Sequence, residues 1–511
     1  MIAFYIQAMI ALDTFFVKKK IPVLLFIFIA TYLLGWLALG QKLYLLPEYF
    51  VLSSELSIGF SAMSATGKPM EIISYLFCCL LIEFLLINQL KQRENTSSLI
   101  GALALAGTLF LLFKAGFTRH DGHVLCPIDA LLLFSLLFFL PKENRSFSSP
   151  SKVIAIIYIA ALTFTASAAS QNYRGNNFKY VRKFFTNSIT VAKESYYTVS
   201  GQYSYPDDYN KAMQQIKKDY PLPPLTGTAD LYPFNQTLVL ANGFQYDPRP
   251  IFQSYVAYTP VLLEKNAEHL RGANAPQHIL FSIEPIDRQY PSLEDGLSWP
   301  ELLTRYSAKG IYGNYLLLNK RDKILNYNFE LIETFNPDFA ESVTLPQGFP
   351  VWAKVSLPLT FFGKVTEFLF KLPIVDIGIV SGNSCKQEAG FDEHFYLTHY
   401  PDVAKAVNKR EFSSGLDHYI KDGEREGRLT NQLGTNNRFF RLIPGMSEAG
   451  FLISPLIESG KEFSYFSNKE MALLKDKQVC NMAIFAPESE NWLMRLLYKK
   501  PKIEFYELVI E

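Results

Sequence analysis

Five charge-poor apolar runs are packed into residues 21–171, separated by short polar connections: Ile21 to Leu39, Met70 to Leu90, Ser97 to Phe113, Val124 to Leu140 and Val153 to Ser170. Each is close to the roughly 20 residues a helix needs to cross a hydrocarbon core, where backbone amides must be bonded within their own segment. The expectation is a membrane α-helical bundle of five spans. After Gln171 the composition becomes mixed for the rest of the 511 residues, which predicts a large water-exposed portion.

Lys and Arg resist translocation, so short connections rich in them stay on the cytoplasmic side. Lys18 to Lys20 precede the first run, Lys91 and Arg93 follow the second, and Lys142, Arg145 and Lys152 lie between the fourth and fifth. If every run crosses, these clusters share one side, and everything after Gln171 lies on the other, outside the cytoplasm. Met1 to Leu12 is apolar but too short to span and lacks a cleavage site, so it reads as an interfacial or packed half-helix.

A formal net charge of +1 with no long basic stripe argues against a nucleic-acid partner. Cys385 and Cys480 fall in the outer part, where an oxidising exterior would allow them to pair, whereas Cys78, Cys79 and Cys126 sit in or beside spans. The absence of CxxC and His/Cys ligand spacings argues against structural zinc, and no metal or other cofactor is called for. Neither a GxSxG elbow, a P-loop nor a GxGxxG is present, which argues against serine-hydrolase and nucleotide chemistry.

The expected organisation is an N-terminal stretch 1–20, a transmembrane region 21–171, a juxtamembrane linker 172–226, an α/β domain 227–345 and a jelly-roll-like β-sandwich domain 346–511. In the linker, Arg174, Lys179, Arg182 and Lys183 interleave with aromatics and suit either lipid headgroups or a solvated helix. Short runs at Ala229 to Tyr232, Thr237 to Leu240, His278 to Ile283, Tyr315 to Asn319 and Asn328 to Thr334 read as strands, with a helix at Thr259 to Leu270. Beyond Pro350, Trp352 to Leu357, Ile374 to Ile379, Phe439 to Ile443, Cys480 to Phe485 and Ile503 to Val509 are β-rich runs at sandwich spacing. Residues 391–429 interrupt them with a helical insertion, its starts marked by Asp392, Pro401 with Asp402, and Ser413, and its stop by Gly423.

The densest polar cluster is Lys114, Arg119, His120, Asp121 and His123, between the third and fourth runs. Arg and Lys can hold a lipid-linked phosphate, either His can move a proton near neutrality, and Asp121 can orient an imidazole. The bland reading is a hairpin that is polar because it meets water. Asp129, a turn and a half further on, can face the same cavity, and Glu83 reads as a packing acid. In the outer part, Asp247, Arg249, Gln253 and Tyr255 suit either sugar recognition or a packed interface, and Glu284, Asp287 and Arg288 follow a predicted strand.

The inserted segment, FDEHFYLTHYPDVAKAVNKREFSSGLDHYIKDGEREGRL, resembles a module with a PDVA centre and a closing GxxEGR that recurs in bacterial glycosyltransferases and surface-associated proteins. More widely, LPEYFVLSSELSIGFSAM, FKAGFTRHDGH, RPIFQSYVAYTP, APQHILFSIEPID and LSWPELL resemble an uncharacterised family of bacterial multi-pass inner-membrane proteins. The layout also resembles membrane glycosyltransferases that use polyprenyl-phosphate sugars. This chain departs from them: they generally carry more spans and an acidic pair in their first outer loop, whereas Gly40 to Pro69 here offers only Glu48 and Glu55 without that spacing.

The resemblances imply a cell-envelope protein of the bacterial inner membrane that handles surface glycan or lipid-linked sugar, as a transferase or as a non-enzymatic binding or assembly protein. The implied partners are membrane lipid, a polyprenyl-phosphate-linked sugar or glycan, and other membrane subunits. A reporter active only outside the cytoplasm, fused after Gln171, is expected to be active; an inactive fusion would invert the assigned orientation.

Overall fold

The computed structural model describes residues 2–91, 97–140, 149–174, 177–201, 205–381, 391–431, 437–457, 478–487 and 491–511. Arg93, Lys142, Arg145 and Cys385, and the side chains of residues 174–185, lie outside what is described. The chain divides into two compact units: Met1–Val51 with Met63–Tyr203 and Leu369–Lys371, and Leu52–Ala62 with Ser204–Phe368 and Leu372–Glu511.

The first unit begins with α1 (Ile2–Leu12), α2 (Val23–Ala38) and the start of α3 (Leu46–Gly59). It continues through α4 (Pro69–Lys91), α5 (Ser97–Thr118), α6 (Leu125–Phe139), α7 (Ser149–Arg174) and α8 (Asn177–Val199). Four helical segments, Pro69–Gln89, Leu99–Thr118, Gly122–Phe139 and Pro150–Tyr173, are long and apolar enough to cross a membrane. The expected first span is shorter than the sequence suggested. Val23–Ala38 qualifies only jointly with Leu43–Met63 after a bend of 116°, giving up to five spans. Gly40, at φ +74°, lies in the connection where the first helix of that pair has ended.

The bundle core forms where α4, α5, α6 and α7 meet, around Tyr75, Ile82, Phe117, Ile128, Leu131 and Tyr158. Inside lipid, helix association depends on close packing and polar contacts rather than on burial from water. Tyr158 and Ser135 accordingly share a buried hydrogen bond, and Glu83 is half-buried in α4. The N-terminal half-helix is of the packed kind, because the Tyr5 hydroxyl donates to the Leu103 carbonyl at 2.7 Å. A Cβ at Gly107 would fall 2.1 Å from that hydroxyl oxygen, so α5 needs a glycine there.

The second unit opens with α9 (Tyr205–Asp219) and a five-stranded sheet of β1 (Thr228–Tyr232), β2 (Gln245–Tyr246), β3 (His278–Phe281), β4 (Tyr306–Tyr312) and β5 (Tyr315–Lys320). Its order is β2-β1-β3-β5-β4, with β1 parallel to β2 and β3 and the other pairings antiparallel. Helices α10 (Thr237–Ala241), α11 (Pro260–Arg271) and α12 (Ser298–Arg305) connect these strands. Thr237 to Leu240, expected as a strand, is instead helical. Asn235, at φ +80°, turns the chain there, and its carbonyl accepts from Leu238 N at 2.9 Å.

Two antiparallel four-stranded sheets follow. β6 (Tyr327–Phe335), β8 (Val351–Ser356), β11 (Phe451–Ser454) and β13 (Lys502–Ile510) take the order β11-β8-β13-β6. β7 (Val343–Thr344), β9 (Val375–Ser381), β10 (Asn437–Leu442) and β12 (Val479–Phe485) take the order β10-β9-β12-β7. β6, grouped by sequence with the α/β region, pairs with β13 from Tyr327 opposite Ile510 to Phe335 opposite Ile503, with a register shift between Phe505 and Tyr506. Helix α13 (Phe361–Leu369) lies between β8 and β9 in the chain. Cys480, buried in β12, is disulfide-bonded.

The insertion contains α14 (Glu393–His399), α15 (Pro401–Asn408) and α16 (Gly415–His418), and the chain then runs through α17 (Pro444–Ala449) and α18 (Asn491–Leu497). Asp392 caps α14 as expected, but Ser414 rather than Ser413 caps α16, accepting from Asp417 N at 2.9 Å. The core of the insertion is closed by the sheet: Tyr396, Val403, Leu416, Tyr419 and Ile420 pack with Val380, Phe439, Ala483 and Phe485. Phe395 is only half-buried and stacks on His399. The motif has a physical basis, since Arg428 of GxxEGR grips Asp402 of PDVA through both guanidinium nitrogens, at 3.1 and 2.8 Å, and lies over Tyr400.

Behind β1 sits a buried ion cluster. Arg249 has no exposed side-chain surface, and Nη1 donates to Asp230 Oδ2 at 2.9 Å while Nε lies 3.3 Å from Asp295 Oδ2. Removing the cation leaves two carboxylates in an apolar interior, where charge must be paired. Arg249→Met is expected to destabilise the second unit by about 3–5 kcal/mol, read as a fall in its thermal transition; an unshifted transition would contradict the cluster's structural role.

Candidate polar site at the end of the bundle

Successive spans alternate in direction, so the start of α4, the end of α5, the start of α6 and the end of α7 share one end of the bundle. An inner layer is centred on Glu71, in the first turn of α4, where the helix dipole favours an acid. Its carboxylate accepts from Asn172 Nδ2 at 2.5 Å, from the Tyr173 hydroxyl at 2.9 Å and from His120 Nε2 at 2.8 Å. Lys68 donates in turn to Asn172 Oδ1 at 2.7 Å. Glu71 and His120 are both buried. Gly67 makes room for the imidazole, since a Cβ there would lie 2.3 Å from His120 Cδ2.

The connection is pinned by backbone bonds between the ends of the spans. Ala65 N donates to Thr118 O at 3.1 Å, His120 N donates to Ala65 O at 3.3 Å, and the Lys371 ammonium donates to both carbonyls. Burial pushes the His120 imidazole below its ordinary range and the Lys371 charge adds to this, while the bond to Glu71 opposes it; the balance is downward. His120 therefore stands neutral at pH 7, with Nε2–H donating to Glu71.

An outer layer faces away from this pair. Asp121 Oδ1 accepts from the His123 amide at 3.0 Å and from its Nδ1 at 2.5 Å, and Oδ2 accepts from Arg119 Nε at 2.9 Å. Partial burial pushes the Asp121 carboxyl up, but the bonds from His123 and Arg119 more than offset it and hold it below the usual carboxylate range. An ionised Asp121 fixes His123 with its proton on Nδ1, leaving Nε2 as the atom that exchanges a proton. The His123 ring is 57% exposed, so that atom can be reached.

The sequence placed its candidates in one loop, and the structure separates them. Arg119, Asp121 and His123 come together, whereas His120 turns inward to Glu71. Lys114 and Asp129 lie half-buried inside α5 and α6, because α5 continues to Thr118 instead of ending at Phe113. Glu71, Asn172 and Tyr173 were missed. The available signal was the alternation itself, which puts residues 68–71, 119–123 and 172–173 at one end.

The four candidates of the second unit, Asp247, Arg249, Gln253 and Tyr255, do not assemble into a ligand site. Arg249 is engaged internally: besides its bond to Asp230 and its ion pair with Asp295 it donates to Leu231 O at 2.7 Å, Pro233 O at 2.8 Å and Ser254 Oγ at 2.9 Å, and it covers the Tyr232 ring. Asp247, Gln253 and Tyr255 are half-buried near it, the Tyr255 ring meeting Phe234 edge-on. The cavity of this unit, about 550 Å³, opens at the carboxyl ends of β1 and β3, between Asn235, Glu284, Tyr220, Tyr312 and Tyr315. That is where parallel strands leave room for ligands, and Glu284 is the predicted strand-end acid that lines it. A smaller recess beside it holds Glu294 and Asp295, the first pushed up to about 8 and the second to about 6, both chiefly by burial.

No protein-family model, no curated protein and no solved structure matches this chain.

Because the folded His120 resists protonation relative to the ordinary value near 6.5, stability is present above that pH and falls as pH drops through the window beneath it. The protection factors of residues 118–123, taken from hydrogen exchange relative to the intrinsic rate at each pH, are expected to fall as pH drops through this window in the wild type, with that fall lost in His120→Gln. A segment equally protected at both ends of the window would refute the buried neutral imidazole.

Proposed function

We propose that this chain is an inner-membrane protein of the bacterial cell envelope that acts on surface glycan or lipid-linked sugar, with the bundle end at residues 119–123 and everything after Gln171 outside the cytoplasm. The observation that carries this reading is the Asp121–His123 dyad beside Arg119, supported from below by the buried Glu71–His120 pair. A carboxylate-oriented imidazole is suited to taking a proton from an attacking sugar hydroxyl. Arg119 and Lys68 supply positive charge for the phosphate of a lipid carrier. The reaction class is then glycosyl transfer from a lipid-phosphate donor, with His123 Nε2 as the general base and Asp121 as its orienting residue.

A second reading, glycan binding without chemistry, is favoured by the outer unit. Its strand order, β11-β8-β13-β6 and β10-β9-β12-β7, is that of an eight-stranded jelly roll, an architecture shared by lectin domains. The tyrosine-lined cavity at the ends of β1 and β3 offers the stacking and hydrogen-bonding groups that sugars use.

The two readings separate on one comparison in a strain whose surface glycan depends on the protein. Arg119→Ala and His123→Ala, each confirmed to insert normally, are expected to lower glycan output by about 10²-fold or more. Unchanged output would overturn the catalytic reading in favour of the binding one.

A further inference from the structure

Helix α13 carries the sequence FFGKVTEFL and turns its apolar residues outward. Phe361 is 75% exposed, Phe362 58% and Phe368 67%. Beside it α18 exposes Trp492 at 62% and Leu496 at 42%. Isolated exposed apolar residues are ordinary in a folded protein, but three phenylalanines, a tryptophan and a leucine on two joined helices are not.

The two helices are held together as one platform. Thr360 N donates to Leu497 O at 3.0 Å, and Lys499 N donates to Pro358 O at 2.8 Å. A Cβ at Gly363 would lie 2.0 Å from the Leu497 carbonyl oxygen, so the glycine is what lets α13 press onto the end of α18. The outward aromatics are therefore fixed in place by the backbone beneath them. Around them Lys364, Arg495 and Lys499 are exposed, while Glu367 on the same helix is half-buried.

Chain continuity indicates what covers this face. The residues that directly follow Phe368, Leu369–Lys371, belong to the membrane unit. Phe370 stacks on Phe113 of α5 at 5.2 Å, and Lys371 bonds the Ala65 and Thr118 carbonyls where that span ends. The carboxyl end of α13 is thus covalently tied to the point where a span leaves the apolar layer.

We propose that α13 and α18 form a lipid-docking face that rests in the headgroup region of the bilayer crossed by the first unit. Phe361, Phe362, Phe368 and Trp492 reach the acyl boundary, and Lys364, Arg495 and Lys499 meet anionic headgroup phosphates. Aromatic residues with a basic rim are the composition that binds a membrane surface without spanning it.

The test uses the full chain in nanodiscs containing phosphatidylglycerol, with Cys78, Cys79 and Cys126 replaced by alanine and an environment-sensitive fluorophore on Phe362→Cys. Its emission is expected to shift to the blue and to lose about half its intensity with lipids brominated near the headgroup. The same label on Lys405→Cys, exposed on α15, is expected to keep its aqueous spectrum. Phe361→Ser/Phe368→Ser is expected to abolish the quenching at position 362 without changing the spectrum at position 405. An aqueous spectrum at position 362 would overturn the proposal, and so would a blue shift without bromolipid quenching, which would mean that protein rather than lipid covers the face.

Discussion

A carboxylate at the edge of a lipid-immersed bundle must be surrounded by donors, and Glu71 shows how much structure that requirement fixes. Its oxygens draw in the end of α7 through Asn172 and Tyr173 and the α5–α6 connection through His120. Three separate span ends are thereby locked in register at one level. Such a network is stabilising only when complete, because a half-satisfied buried acid costs more than none. The reactive-looking groups Arg119, Asp121 and His123 inherit their positions from it.

The second unit solves a related problem differently. Arg249 holds Asp230 and Asp295 together in the buried interior, where an ion cluster confers uniqueness more readily than stability. The cavity at the ends of β1 and β3 lies apart from this cluster, with Glu284 at its wall and no lysine or arginine in its lining.

Much of the architecture could be read from the sequence, because periodicity and length carry it. Four long apolar helices and most strands fall near the expected runs, as β8, β9, β12 and β13 show. The misreadings share a physical cause: local pattern does not reveal partners distant in sequence. Thr237 to Leu240 has strand-like composition but follows a left-handed Asn235 that starts a helix. Arg249 has the chemistry of a ligand-binding residue, and only the positions of Asp230 and Asp295 show it to be internal. Glu71 was overlooked because an acid in the first turn of a helix is unremarkable until three donors close on it.

The inserted helices enter between β9 and β10, which are antiparallel neighbours with Val380 opposite Asn437. The two ends of the insertion consequently leave the sheet side by side, where an ordinary hairpin loop would close. Loop-closure entropy grows slowly with length, so such a site tolerates a whole module as readily as a longer turn. The module is not free cargo, however, because Val380, Phe439, Ala483 and Phe485 complete its core. It behaves as a graft that depends on an apolar seat supplied by the sheet that receives it.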